Sequence, residues 1–200
     1  MLRLAIQESK EQGSLHFILG NVLFHQKKFL EALHSYQQAC TLRPDVTDHH
    51  FNLGNTYTIL EQFQNAISKY DDTIKLGPAY ATAYCNKANA LFMLEQFDQA
   101  IENYKKCIQI DPVHVYSHLN LAKVYLKNQI EIDATQELVE KVLKLQSNLK
   151  EAHIILMKVF DRKGDKEKAH RMKLDIEARF GAFDSVTDYR VDQARLSQKD

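Results

Sequence analysis

Two hundred residues carry 26 basic and 26 acidic side chains, so the chain is formally uncharged at neutral pH. That balance argues against a nucleic-acid module, which shows a basic excess, and against a polybasic membrane-surface segment. The length suits one sizeable core or a stack of small units, and three cysteines, odd in number and without CxxC spacing, point to a reduced, cytoplasmic interior.

The N-terminus, MLRLAIQESKEQ (1–12), starts apolar but is broken by Arg3 and turns acidic at Glu8 and Glu11, unlike a secretory or mitochondrial presequence. No run approaches the roughly 18 consecutive apolar residues of a membrane-spanning helix.

From residue 13 the chain repeats itself. The segments FLEALHSY (29–36), FQNAISKY (63–70) and FDQAIENY (97–104) align without gaps at one constant offset, Phe29 to Phe63 to Phe97. The same offset links Gly20, Gly54, Ala88 and Ala122, then Ala32, Ala66, Ala100 and Ala134, then Pro44, Pro78 and Pro112. Each unit reads as a helix, a polar turn (HQKK, ILEQ, MLEQ) and a second helix closed by proline, which lacks a donor and restricts its predecessor. Small residues at Gly54 and Ala66 let the paired helices approach closely.

The units are 13–46, 47–80, 81–114 and 115–149. The fourth keeps Leu121, Ala122, Tyr125 and Ala134, but Glu131 replaces the turn phenylalanine, Gln146 the proline, and Lys141 a small residue. Residues 150–183 retain only the outline and read as a degenerate fifth repeat or capping pair; 184–200 form a charged tail. Leu2 and Ala5 fall in phase with Tyr36 and Ala39, so 1–12 read as the remnant of a second helix or as a cap.

This pattern resembles the tetratricopeptide repeat, whose 34-residue signature runs W-x2-L-G-x2-Y, A-x3-F, P. His16, His50, Tyr84 and His118 occupy the tryptophan position, so a ring is kept each time. The resemblance implies an all-α, right-handed solenoid of stacked antiparallel helix pairs that serves as a protein-interaction module.

Candidate chemistry is sparse. His16, His50 and His118 share one repeat phase and read as packing; His114 and His118 have i,i+4 spacing, but no further ligand completes a metal set. Phosphate loops, nucleophile elbows and zinc spacings are missing, so neither an enzyme nor a bound cofactor is expected. Cys40 and Cys107 fall on inner stripes, and Cys85 on the exposed face of a first helix.

The octet HFNLGNTY (50–57) carries two asparagines on one helix face. Asn52, Asn86 and Asn120 recur in one phase, Asn21, Asn55 and Asn89 in another: six of the chain's ten asparagines. An amide both donates and accepts, so such a row can hold a peptide backbone without reading its side chains. Selectivity then falls to Phe17, Phe24, Phe51, Phe92, Met93 and Tyr116, with Lys123 and Lys127 supplying charge. The row is similar to the asparagine ladder in the repeat domain of O-linked N-acetylglucosamine transferase, which implies a protein or peptide partner gripped in a concave groove. Carboxylate-clamp co-chaperones need bases where Phe17, Thr82 and Asn86 stand, so that branch is disfavoured. A scaffold using convex faces and ends, or the repeat portion of a larger enzyme, are the alternatives.

Overall fold

The computed structural model describes residues 2–181, and every regular element among them is an α-helix: α1 (Leu2–His25), α2 (Phe29–Leu42), α3 (Thr47–Ile59), α4 (Phe63–Leu76), α5 (Ala81–Met93), α6 (Phe97–Ile110), α7 (Val115–Asn128), α8 (Ile132–Leu145), α9 (Lys150–Arg162) and α10 (Lys166–Phe180). The residues form two compact units. The first ends at Gln96 and holds α1–α5; the second begins at Phe97 and holds α6–α10. No described helix is long and apolar enough to cross a membrane. The charged tail expected at 184–200 lies outside the described residues.

The turns repeat as strictly as the helices. Lys27, Glu61, Glu95 and Gln129, each one repeat after the last, adopt φ of 61°, 57°, 58° and 57°. The next residue's N–H then reaches back to the preceding helix, as in Lys28 to the Leu23 carbonyl and Gln62 to Tyr57, both at 2.9 Å. Left-handed residues closing a helix this way satisfy carbonyls that would otherwise be orphaned. The fifth pair shifts by one residue and gives the position to Gly164, at φ 82°.

One boundary differs from the sequence expectation. Residues 2–12 are no separate element: α1 runs unbroken through them into the first repeat. The proline phase explains this, because stepping back one repeat from Pro44 lands on Lys10, which nothing prevents from being helical. At the other end α8 stops at Leu145 without a proline; the Gln146 N–H bonds the Val142 carbonyl at 2.7 Å, closing the helix as Arg43 and Gly77 do theirs.

In the first unit, α1 packs on α2 and α3 on α4, with α2 against α3 and α4 against α5. Ala32, Tyr36 and Leu53 form a core nucleus, with Phe17, Phe24 and Tyr57 around it. A methyl group placed on Gly54 would lie 2.7 Å from Cε1 of Tyr70, and one on Gly20 2.6 Å from Cε1 of Tyr36. Gly54→Ala therefore destabilises by about 1–2 kcal/mol: overpacking a buried ring outweighs the propensity gained. Urea unfolding checks this; a stabilised variant would mean the Tyr70 ring moves freely. The second unit centres on Leu119, Leu126, Val139, Val142, Ile155 and Val159, drawn from α7, α8 and α9.

Candidate functional site

The repeated asparagines of the first unit, Asn21, Asn52, Asn55, Asn86 and Asn89, stand on α1, α3 and α5. Their backbones are helical because the apolar positions around them, such as Leu53 and Ala83, are covered by neighbouring helices. The amides are joined to each other. Asn52 Nδ2 donates to Asn21 Oδ1 at 3.4 Å, and Asn86 Nδ2 to Asn55 Oδ1 at 2.9 Å. The same two oxygens accept from second-helix tyrosines: Tyr36 Oη to Asn21 at 2.7 Å and Tyr70 Oη to Asn55 at 2.9 Å.

These bonds set the direction of each side chain. Asn21 and Asn55 turn their oxygens inward and keep their NH2 groups uncommitted among the described residues. Asn52 and Asn86 use an N–H inward and keep their oxygens uncommitted. Along the unit the open groups thus alternate, donor and acceptor.

The row is deeper than the helix wheel suggests, and it is not separate from the packing stripe. Asn55, Asn86 and Asn89 are buried, and Asn21 and Asn52 half-buried. Burial lifts the Tyr70 phenol well above its ordinary pKa, so the hydroxyl stays a donor. The tyrosines were not among the expected site residues. Their signal lay in the sequence, since Tyr36 and Tyr70 each follow their asparagine by 15 residues.

Phe17 stacks on His49 with ring centroids 4.7 Å apart, and Phe51 on Tyr80 at 4.8 Å. Both are half-buried, so each presents part of its ring. Phe24 meets Phe29 edge to face, Phe92 is buried and Met93 is exposed. Cys85, expected on an exposed face, is buried, while Cys40 is half-buried with its thiol pushed up to about 11 chiefly by that burial.

On α7 of the second unit, Tyr116 is exposed and Asn120 buried. Lys123 does not supply open charge. It is 3% exposed and ion-paired with Glu151 of α9, so its cation is neutralised inside the unit. Lys127 is exposed, with its ammonium 4.8 Å from the centroid of the Phe97 ring.

The i,i+4 histidines have structural partners. His114 caps α7, its Nδ1 accepting from the Ser117 N–H at 3.2 Å, and His118 Nδ1 donates to the His114 carbonyl at 3.0 Å. Burial lowers the pKa of His49 and His118, which holds both rings neutral at pH 7.

Residues 81–114 match the family described as tetratricopeptide repeat, and residues 20–58 the family described as TPR repeat. No curated protein matches the chain. Among solved structures, the crystal structure of MamA protein is 21% identical with a TM-score of 0.77, covering 84% of this chain and 92% of that one. YrrB, a TPR protein with an unusual peptide-binding site, is 18% identical with a TM-score of 0.74, covering 89% and 91%. The first TPR of Spaghetti (RPAP3), bound to an HSP90 peptide, is 22% identical with a TM-score of 0.58, covering 60% and 95%.

Proposed function

Because the chain is a tetratricopeptide-repeat protein with the all-α helical-repeat fold, we propose that it is a non-catalytic, cytoplasmic interaction module whose first helices bind an extended segment of a partner protein. The observation that carries this reading is the fixed alternation of open amide groups along Asn21, Asn52, Asn55 and Asn86. An extended backbone presents alternating C=O and N–H groups, and an amide held in one orientation meets each at low entropic cost. Asn89 continues the row on α5; Phe17 and Phe51 flank it and favour apolar or aromatic ligand side chains. In the second unit Asn120 holds the first-helix phase of Asn52 and Asn86, and Tyr116 stands one turn before it on α7; we assign both to partner contact as well.

The peptide held by the RPAP3 repeat domain has the acidic sequence SRMEEVD. In this chain Phe17, Thr82 and Asn86 stand where a carboxylate clamp needs bases, so the favoured ligand is gripped by its backbone.

The test uses peptides selected on the full chain from a displayed random library. Asn52→Ala is expected to weaken a selected peptide about tenfold, the loss of roughly one good hydrogen bond, with stability held within about 0.5 kcal/mol. Methylating the peptide's backbone nitrogens should weaken binding comparably. Calorimetry that finds neither effect removes the proposal.

A second reading has its own observation. On α1, Leu15, Ile18, Leu19 and Val22 are 65%, 57%, 48% and 48% exposed. The residues one repeat later than Leu15 and Val22, His49 and Thr56, are buried where α3 meets the first helix pair. This end face is therefore an uncovered copy of the contact between repeats, suited to end-on packing in a scaffold. Light scattering on Ile18→Asp with Val22→Asp checks it. A smaller particle than the parent chain is expected, and equal masses rule out self-assembly through this face.

A further inference from the structure

In the second unit a cavity of about 380 Å³ opens between α6, α7 and α8. Ile108, Leu121, Tyr125 and Leu138 give it apolar walls, and Lys105, Glu137 and Lys141 stand around it. Two departures from the repeat pattern meet here. Leu138 stands in phase with Tyr36, Tyr70 and Tyr104, so an aliphatic side chain replaces a ring. Lys141 stands in phase with Ala39, Thr73 and Cys107, so an exposed cation replaces a small buried residue.

The third feature is His118, which lines the cavity yet is only 1% exposed. A carbonyl can only accept, so the 3.0 Å contact with His114 requires the proton on Nδ1. That leaves Nε2 as an acceptor without a hydrogen-bond partner among the described residues. Burial, aided by the charge of Lys141, disfavours a second proton on the ring, against the opposing pull of the His114 carbonyl. Lys141 has no carboxylate partner among the described residues, and Lys105 has its ammonium 5.9 Å from the centroid of the Tyr125 ring. Glu137 forms no ion pair with either. An apolar chamber, a buried acceptor in its wall and two cations without a carboxylate partner among the described residues make a small-molecule site of ordinary size.

We propose that this cavity binds a small aromatic carboxylate bearing a phenolic hydroxyl. The ring fills the apolar chamber, the hydroxyl donates to His118 Nε2, and the carboxylate meets Lys141 and Lys105. This site involves the packing side of α7, not the asparagine row, so its fate is independent of the groove reading.

The experiment titrates 4-hydroxyphenylacetate into the full chain, following the histidine imidazole resonances by NMR and the affinity by calorimetry. A micromolar-to-millimolar Kd with displacement of the His118 signals is expected. Phenylacetate, lacking the hydroxyl, and 4-methylphenol, lacking the charge, should each bind about fivefold to tenfold more weakly. Leu138→Tyr should abolish binding by filling the chamber, and Lys141→Thr should weaken it at least as much as removing the charge from the ligand. Both variants install residues that other repeats of this chain use at those positions, and circular dichroism verifies that each folds. Undisplaced His118 signals at millimolar ligand, or an affinity unchanged in Leu138→Tyr or Lys141→Thr, overturn the proposal.

Discussion

Replacing Glu151 with alanine is expected to lower stability by about 2–4 kcal/mol, because it strands a buried cation. Lys123 projects from α7 into the space under α9, where its only carboxylate partner among the described residues is Glu151. The two side chains are 4% and 23% exposed. Taking two charges from water is costly, and their mutual attraction offsets that cost only while both are present. Removing the carboxylate leaves the ammonium with its full desolvation cost; the residual exposure at Glu151 admits some water, which places the effect below the upper end of the usual range.

The reverse substitution should cost much less. In Lys123→Met the methionine keeps the aliphatic volume, and the partly exposed Glu151 turns to solvent, so about 1 kcal/mol or less is expected. The double variant Lys123→Met with Glu151→Leu should recover most of the parent stability. Urea unfolding of the three variants reads this order directly. Equal costs for the two single changes would mean that the pair is solvated and the burial of Lys123 incidental. The result also bears on the amide row: Lys123 lies one repeat after Asn89, so the Asn21–Asn55–Asn89 phase ends in an internal ion pair.

How much of this was legible beforehand divides along a physical line. The fold was legible because a repeat hides the same positions each time. A ring at Tyr70 demands a small residue at Gly54, and the pairing recurs in phase as Gly20 with Tyr36 and Ala88 with Tyr104. The left-handed turns were not legible, since Lys27, Glu61 and Glu95 are residue types that rarely announce a positive φ. The length of α1 was missed because absence of a proline at Lys10 is a weaker signal than its presence at Pro44.

The site was legible in direction but not in depth. Helical spacing puts Asn52 and Asn55 on one face, and it puts Lys123 there too. Spacing says nothing about how far a neighbouring helix reaches over that face. For Asn52 it leaves part of the side chain open; for Asn55, Cys85 and Lys123 it closes nearly all of it.

That difference in depth yields the second large effect: Asn55→Ala is expected to destabilise by about 2–3 kcal/mol, whereas Asn52→Ala is nearly neutral. Asn55 Oδ1 accepts two bonds at 2.9 Å, from Tyr70 Oη and from Asn86 Nδ2. Each donor is buried, and a buried polar group deprived of its partner costs about 1–3 kcal/mol. Tyr70 keeps its 2.9 Å contact with Thr58 Oγ1, and alanine regains roughly half a kcal/mol of helix propensity, so the two losses do not add in full. Asn52 by contrast makes one long bond of 3.4 Å from a half-buried position. A double-mutant cycle with Tyr70→Phe tests the mechanism, with a coupling of about 1 kcal/mol expected between Asn55 and Tyr70. Zero coupling would mean that the hydroxyl relies on Thr58 alone. The contrast also decides which substitution can probe the groove. A loss of peptide binding in Asn55→Ala would mix a lost ligand contact with a loosened junction between repeats, since Asn86 and Tyr70 lie on different helix pairs. In Asn52→Ala the open acceptor and one long bond to Asn21 are lost while the Asn55–Tyr70–Asn86 junction stays intact, so a loss of affinity there reports on the partner.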